Sequence, residues 1–450
     1  MMKRLLFVVT LVLVLSATAF SQWTLTPFGT KADSLMGNSG AHGVAVDPDG
    51  KIWVELYKPA STDTVLYPET NKYVKVTHIY VFNPDGTQAS FSPIKSVTIE
   101  GKVKPLDLGT AGRGGTGLAR DKDGNMIASV DFSLYKINYK TGEGMAKYQY
   151  PDGNGITRAA CDTLGNVFIA PTVNDHPLIK LDADLANPDV IMEKVPSVGR
   201  NLEVSPDGNT IYLVRHTGPG CFLVTRPSEY YSYELTDTVF AGWKVEGIVV
   251  NPVNRLLYVS AGSYQDKPIG APYSPSQQDK FVTIGTYYGV NPRTFEVVDS
   301  LAWKYAEPNT MDANSERNRG IAFSNDGKTA YLIQFNASSV PVLQRYVTND
   351  LVSSVNKEKN AVVENYSLSQ NYPNPFNPTT QIKFSVAKDG FVSLKVYDIL
   401  GKEAATLVNS QMTKGTYSAT LDGKNLTSGI YIYQLNANGV VLSKKMTLMK

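Results

Sequence analysis

Gly43-Val-Ala-Val-Asp-Pro-Asp-Gly50 is the first of six copies of one eight-residue pattern. The others are Gly117-Leu-Ala-Arg-Asp-Lys-Asp-Gly124, Arg158-Ala-Ala-Cys-Asp-Thr-Leu-Gly165, Asn201-Leu-Glu-Val-Ser-Pro-Asp-Gly208, Gly247-Ile-Val-Val-Asn-Pro-Val-Asn254 and Gly320-Ile-Ala-Phe-Ser-Asn-Asp-Gly327. An apolar stretch follows each: Ile52–Glu55, Met126–Ser129, Val167–Ala170, Ile211–Val214, Leu257–Ser260 and Ala330–Ile333. Period-two alternation on both sides of an Asp-Gly or Asn-containing turn reads as a hairpin, because Gly and Asn tolerate the positive φ of tight turns.

The spacing sets the architecture. Successive anchors lie 74, 41, 43, 46 and 73 residues apart. A period of about 40 to 50 with four strands per unit is the signature of a propeller. The two long intervals hold the polar run Lys58 to Lys72 and the proline-rich stretch Ser263 to Lys280, read as loop insertions. The count is therefore six blades, with seven or eight if the long intervals hide degenerate units. Trp23–Phe28 has strand character and is placed to close the ring, which removes exposed sheet edges. The repeats resemble the six-bladed propellers of the NHL, SMP-30 and gluconolactonase-like group, and the seven-bladed YVTN type. The resemblance implies a fold and names no substrate.

Propellers bind ligands where loops converge on the central channel. Residues just before each anchor and just after each second strand are the candidates. The first set is His42, Thr116, Thr157, Arg200, Glu246 and Arg319; the second includes Glu55, Asp131, Asn174, His216, Ser263 and Asn336. From these the expected binding positions are His42, Glu55, Asp131, Arg200, His216, Glu246 and Arg319. The lactonase-like relatives hold a divalent cation with Glu, Asn and Asp. Glu55, Glu246, Asp131, Asn174 and Asn336 offer such oxygens. Arg200 and Arg319 oppose a dication and suit an anion. The plainer alternative is that these groups satisfy one another around a wet channel. No catalytic residue, resident metal or cofactor is assigned, with calcium or another divalent cation as the weaker alternative.

Other motifs dissolve on inspection. Gly112-Arg-Gly-Gly-Thr-Gly117 lacks the Lys-Ser/Thr ending of a phosphate loop and precedes a strand, so it reads as a flexible entry loop. Asp47-Pro-Asp49-Gly50 and Asp121-Lys-Asp123-Gly124 lack the distal Glu of a calcium loop, and turn chemistry explains them. Cys161 and Cys221 read as small buried hydrophobes.

The N-terminus carries Lys3 and Arg4, then eleven apolar residues from Leu5 to Leu15, then small residues. This reads as a signal peptide over residues 1–21, too short to span a bilayer of about 30 Å. No further apolar run of about 18 residues exists, so no transmembrane segment is expected in the mature chain. The 26 Tyr, 36 Gly and 25 Pro, with 19% charged residues, suit turn-rich sheets. A net charge of +2 provides no basic stripe for nucleic acid.

The propeller is expected over 22–346 and a polar linker over 347–370. A small Ig-like β-sandwich is expected over 371–450, from alternating strands joined by short Asp-Gly, Asn-Gly and Ser-Gly turns. It opens with Asn371-Tyr372-Pro373-Asn374-Pro375-Phe376-Asn377-Pro378. Val396-Tyr-Asp-Ile-Leu-Gly401, Leu426-Thr-Ser-Gly429-Ile-Tyr-Ile-Tyr433 and the basic pair Lys444-Lys445 follow. These pieces closely resemble the type IX secretion system C-terminal sorting domain (type A). The resemblance implies recognition by that machinery and export through the periplasm to the cell surface or medium. The whole is read as an exported all-β protein whose propeller binds a ligand, glycan or surface protein. The alternative is a metal-dependent lactonase-like hydrolase using the channel.

Overall fold

The computed structural model describes residues 23–28, 40–57, 63–109, 114–197, 199–215, 220–241, 243, 245–261, 286–302, 317–335, 342–349, 351, 356–358 and 366–450. The expected signal peptide lies outside them. The chain divides into two compact units, Met1–Val352 and Ser353–Lys450.

The first unit is built of antiparallel sheets, an arrangement consistent with propeller-like folds. Each of the six repeats opens one sheet. The first sheet joins Ala41–Val46, Ile52–Leu56 and Ile79–Phe82. The second joins Gly115–Arg120, Met126–Val130, Ser133–Ile137 and Gly144–Gln149. The third joins Ala160–Cys161, Val167–Ile169, Leu178–Leu181 and Asp189–Met192; the fourth joins Gly199–Val204, Thr210–Arg215, Cys221–Thr225 and Glu234–Val239. The fifth joins Ile248–Val250, Leu257–Ala261, Thr286–Val290 and Val297–Ala302. The sixth joins Arg317–Phe323, Thr329–Phe335 and Leu343–Val347, with Thr24–Thr26 as its outer strand. The six opening strands neighbour one another in chain order, and the sixth returns to the first.

Strand alternation explains this packing. Each strand sends successive side chains to opposite faces, so each sheet feeds two cores. Val44, Ile52 and Val54 pack against the sixth sheet's Tyr331 and Ile333. Ala45 and Trp53, between them in sequence, pack against the second sheet's Leu118, Met126 and Tyr135. The same division recurs where Ile127 packs with the third sheet's Val167 and Ile169, and where Tyr258 packs with the sixth sheet's Leu332.

The turns are capped by the fifth residue of each repeat. Asp47 Oδ1 accepts from Lys51 N at 2.8 Å, and Asp162 Oδ1 from Leu164, Gly165 and Asn166 N. Asp121, Asn251, Ser205 and Ser324 accept backbone amides in the same way. The leading carboxylates of the two Asp-x-Asp-Gly stretches are thus spent on backbone amides.

Three expectations need correction. The first long interval is more than a loop: Thr64–Tyr67 with Lys72–Lys75, and Ser96–Ile99 with Lys102–Pro105, form two extra hairpins. Gly115–Gly117 belong to a strand, and Gly114 and Gly115 let the chain pass close to Tyr57 and Glu55, where a Cβ would collide. The stretch 347–370 contributes Asn356–Glu358 and Ser367–Leu368 to a sheet of the second unit. Both cysteines are free.

The second unit pairs two antiparallel sheets. One is ordered Asn356–Glu358, Gly415–Asp422, Thr379–Val386, Ser367–Leu368; the other Glu403–Met412, Gly390–Asp398, Gly429–Ala437, Val440–Leu448. Their inner faces share one core containing Phe376, Phe384, Leu394, Val396, Tyr433 and Met446.

Candidate functional site

Four of the expected channel residues come together, and they do so because each directly precedes a repeat anchor. Glu246, before the fifth anchor, accepts from Arg200 Nε at 3.0 Å and from Arg319 Nη1 at 2.5 Å. The two arginines precede the fourth and sixth anchors, so the carboxylate ties its own sheet to both neighbours. His42, before the first anchor, stacks on Tyr57 with ring centroids 4.3 Å apart. Burial, then the charges of Arg319 and Arg200, hold its imidazole well below the usual range. The ring is therefore neutral at physiological pH.

Glu55 lies on the adjoining strand and is fully buried. Its Oε2 accepts from Gly117 N at 2.9 Å, which fastens the first sheet to the second. Among the described residues its Oε1 finds no hydrogen-bond partner. Burial pushes this carboxyl well above the usual carboxylate range, against the opposing pull of the Gly117 amide. Ser129 makes the equivalent link between the second and third sheets, its Oγ accepting from Ala159 N at 3.1 Å.

The remaining expected residues that the structure describes do not join this cluster. Asp131 adopts φ +49°, and its Oδ2 lies against Gly109. Its amide donates to Gly114 and its carbonyl accepts from Ile156. Thr116 and Thr157 bond nearby backbone carbonyls, and Asn174 bonds Asp175 at the surface. His216, Ser263 and Asn336 lie outside the described residues.

Arg158 was missed. The sequence signal was present: it is the one arginine in an anchor slot otherwise held by Gly or Asn. Its Nε donates to Leu118 O and its Nη1 to Leu202 O, both at 2.8 Å, so it links the second and fourth sheets. Its Nη1 lies 3.3 Å from Glu203 Oε2. Gly117, at φ +151°, makes room for it: a Cβ there would come within 2.4 Å of Arg158 Cβ. Arg120 likewise donates to Val46 O and Asn325 Oδ1, joining the first, second and sixth sheets.

This arrangement is rich in donors and poor in free carboxylate. Among the described residues no group of three or more His, Cys, Asp or Glu comes together to hold a metal ion. Glu246 is engaged by two guanidinium groups and Glu55 by a backbone amide. The chemistry on offer is recognition of an acceptor or an anion by fixed cations.

In the second unit the proline-rich opening divides into buried and exposed members. Asn371 is buried; its Nδ2 donates to Pro373 O and Thr380 Oγ1, each at 3.0 Å, and its amide donates to Tyr433 Oη at 2.9 Å. Phe376 fills the core and pairs with the final strand through Thr447 O and Met449 N. Thr447 N also donates to Asn374 Oδ1 at 2.9 Å. Tyr372, by contrast, is 82% exposed, and Pro373, Pro375 and Asn377 are exposed too, while Pro378 is half-buried. Gly401 and Gly429 have positive φ, at +80° and +158°. Lys444 and Lys445 sit on the last strand opposite Tyr433 and Ile432.

Comparison with known proteins bears mainly on this unit. Residues 370–449 match the family model described as the secretion system C-terminal sorting domain. No curated protein matches the chain. Among solved structures, a chain of the mitotic checkpoint complex aligns with TM-score 0.42 and 11% identity, over 74% of this chain and 93% of that one. The extracellular domain of a putative one-component system from B. thetaiotaomicron aligns at 0.39 and 10%, over 95% and 58%. A protein of unknown function from Bacteroides thetaiotaomicron aligns at 0.45 and 10%, over 72% and 75%. The sorting domain supports export to the cell surface or secretion.

Proposed function

We propose that this is an exported protein whose first unit is a six-bladed propeller that binds a ligand at the mouth of its channel. The observation that carries the reading is the Arg200–Glu246–Arg319 bridge, drawn from three successive repeats, with neutral His42 beside it. Two guanidinium groups face one carboxylate, so the mouth favours an anionic or hydroxyl-rich ligand such as an acidic glycan. The blade count rests on six repeats, six sheets and a circuit of opening strands that returns to its start. Thr24–Thr26 completes the sixth sheet, as expected of a ring closed by its N-terminus. An Ig-like sandwich for the second unit rests on its paired antiparallel sheets and shared core. Delivery runs, in this reading, from leader removal through the periplasm to the type IX machinery.

Titration of the purified full chain against acidic and neutral oligosaccharides tests the binding claim. Arg200→Ala should weaken the acidic ligand by on the order of tenfold or more while melting stays nearly unchanged, because Arg200 is only half-buried. Equal affinity in the parent and the variant, or no binding to any glycan, would sink it.

A further inference from the structure

The solvent face of the sheet containing Gly390–Asp398 and Gly429–Ala437 is polar in its middle, with Ser393, Lys395, Gln434, Asn436 and Ser443 exposed or half-exposed, and carries Phe391 and Val441, 51% and 52% exposed, towards one end. The other end holds the more exposed apolar group. Tyr397 lies directly opposite Ile432, and Ile430 continues the same face. The chain then turns through Asp398-Ile399-Leu400-Gly401, held by Leu400 N donating to Asp398 Oδ1 at 2.9 Å. At that turn Ile399 is 71% and Leu400 88% exposed; Ile430, beside it, is 52% exposed. Met449, 56% exposed, follows the strand partner of Gly429 at the same end.

Tight turns ordinarily present polar side chains to water. Ile399 and Leu400 add almost nothing to the core, because they are not in it, so stability does not account for them. A contiguous exposed apolar patch marks a contact surface. Lysines rim it, with Lys445 opposite Ile432, Lys402 closing the turn and Lys450 held by Ser428 Oγ, while the nearby carboxylates are engaged, Asp398 by the turn amides and Glu403 by Lys395. Residues 370–450 contain nine Lys and no Arg against four carboxylates, a net charge of +5, while the remainder of the chain stands at −3.

We propose that this apolar end, with Leu400 at its tip and lysines at its rim, is the surface by which the sorting domain docks into an acid-rimmed apolar groove of the export machinery. The inference rests on the reading of the second unit as an export signal. Charge complementarity supplies steering, and a few aliphatic side chains seated in a groove supply the hold. An anionic membrane is the competing partner, and the experiment separates the two.

The test is surface delivery of the full chain in a bacterium with a type IX system, measured by protease accessibility on whole cells. The double variant Ile399→Ser with Leu400→Ser should lose delivery by on the order of tenfold and accumulate in the periplasm. Phe391→Ser, which alters a 51% exposed apolar residue at the opposite end of the same strand, should be delivered like the parent. Normal delivery of the double variant, alongside failure of a chain lacking Tyr366–Lys450, overturns the docking surface and leaves the export signal standing. Normal delivery of the truncated chain overturns the export signal itself. Binding of purified chains to phosphatidylethanolamine–phosphatidylglycerol vesicles should be equal for parent and double variant; loss in the variant assigns the patch to lipid and overturns the proposal. If the double variant melts early, Leu400→Ser alone carries the same outcomes.

Discussion

Arg319 and Glu246 meet 2.5 Å apart with side chains each 5% exposed, joining the fifth and sixth sheets where their opening strands begin. Removing one partner of a buried ion pair leaves the other charge uncompensated, at a cost of about 3 to 5 kcal/mol. Glu246→Gln is the sharper case, since it leaves Arg200 and Arg319 facing each other. Urea unfolding of the first unit should show a loss of about 3 kcal/mol for Glu246→Gln. Arg200→Ala, at a side chain 22% exposed, should cost no more than about 1 kcal/mol. Equal costs for the two would mean that Glu246 is not the hub of the cluster.

Glu55 predicts a pH dependence. Its folded carboxyl binds a proton more tightly than the unfolded one, whose reference value is 4.5. Between those two values the folded state holds more protons, so stability falls as pH rises. The contribution is complete below about pH 4.5 and is lost as pH climbs through the folded value. His42 acts in the opposite sense: burial and two arginines keep it neutral, so it costs stability as pH drops below its reference value of 6.5. Glu55→Gln keeps an acceptor for Gly117 and has no proton to lose. Its stability should exceed the parent's at pH 8 and match it near pH 4.5, with about 1.4 kcal/mol for each tenfold difference in proton affinity. Parallel curves for parent and variant across pH 5 to 8 would show that Glu55 is not the titrating group.

The strand pattern was legible because it is local. Val44 and Ala45 differ by one position and so enter different cores, and Asp47 caps the turn of its own repeat. What depends on closing the circuit was not legible in the same way. The residues before each anchor could be expected on one face, but that Glu246 sits between Arg200 and Arg319 requires sheets 46 and 73 residues apart to be neighbours. Arg158 escaped for a related reason: its reach to Leu118 and Leu202 crosses two sheet boundaries. The third strand of the first sheet, Ile79–Phe82, was hidden behind an inserted hairpin of ordinary strand character. In the sorting domain the motif announced its role, but alternation alone could not divide it into the core member Phe376 and the exposed Tyr372, because prolines suspend the period.

The N-terminal strand is a clasp with two ends. Trp23 Nε1 donates to Asp299 Oδ2 at 3.2 Å and its ring meets Tyr258 and Phe323, between the fifth and sixth sheets. Phe28 meets Tyr331 and Phe82, between the sixth and first. Trp23→Phe retains most of the packing and loses the hydrogen bond, for about 1 kcal/mol. Trp23→Ala should cost about 2 kcal/mol, below the range for a fully buried Trp because this ring is half-buried. Removing residues 22–28 also bares the edge of Leu343–Val347, so light scattering on warming should rise earlier than for either point variant. A truncated chain that melts and stays monomeric like the parent would show that the clasp is dispensable.

The proline-rich motif makes the last prediction, because its members should separate by assay. Phe376 is 2% exposed within the sandwich core, and Phe376→Ala should destabilise the second unit by about 3 to 5 kcal/mol. Asn371→Ala removes donors to Pro373 O and Thr380 Oγ1 from a buried position and should cost about 1 to 3 kcal/mol. Tyr372 is 82% exposed, so Tyr372→Ala should leave the melting of the second unit within about 0.5 kcal/mol of the parent. Calorimetry of the full chain resolves the comparison if the two units melt separately. Asn371 and Phe376 would then matter to export through folding, so their defects should track temperature and be relieved in the cold. A Tyr372→Ala chain with full stability and reduced surface delivery would instead place that ring in direct recognition. Full delivery would confine the motif's role to closing the edge of the final strand, where Phe376 pairs with Thr447 and Met449.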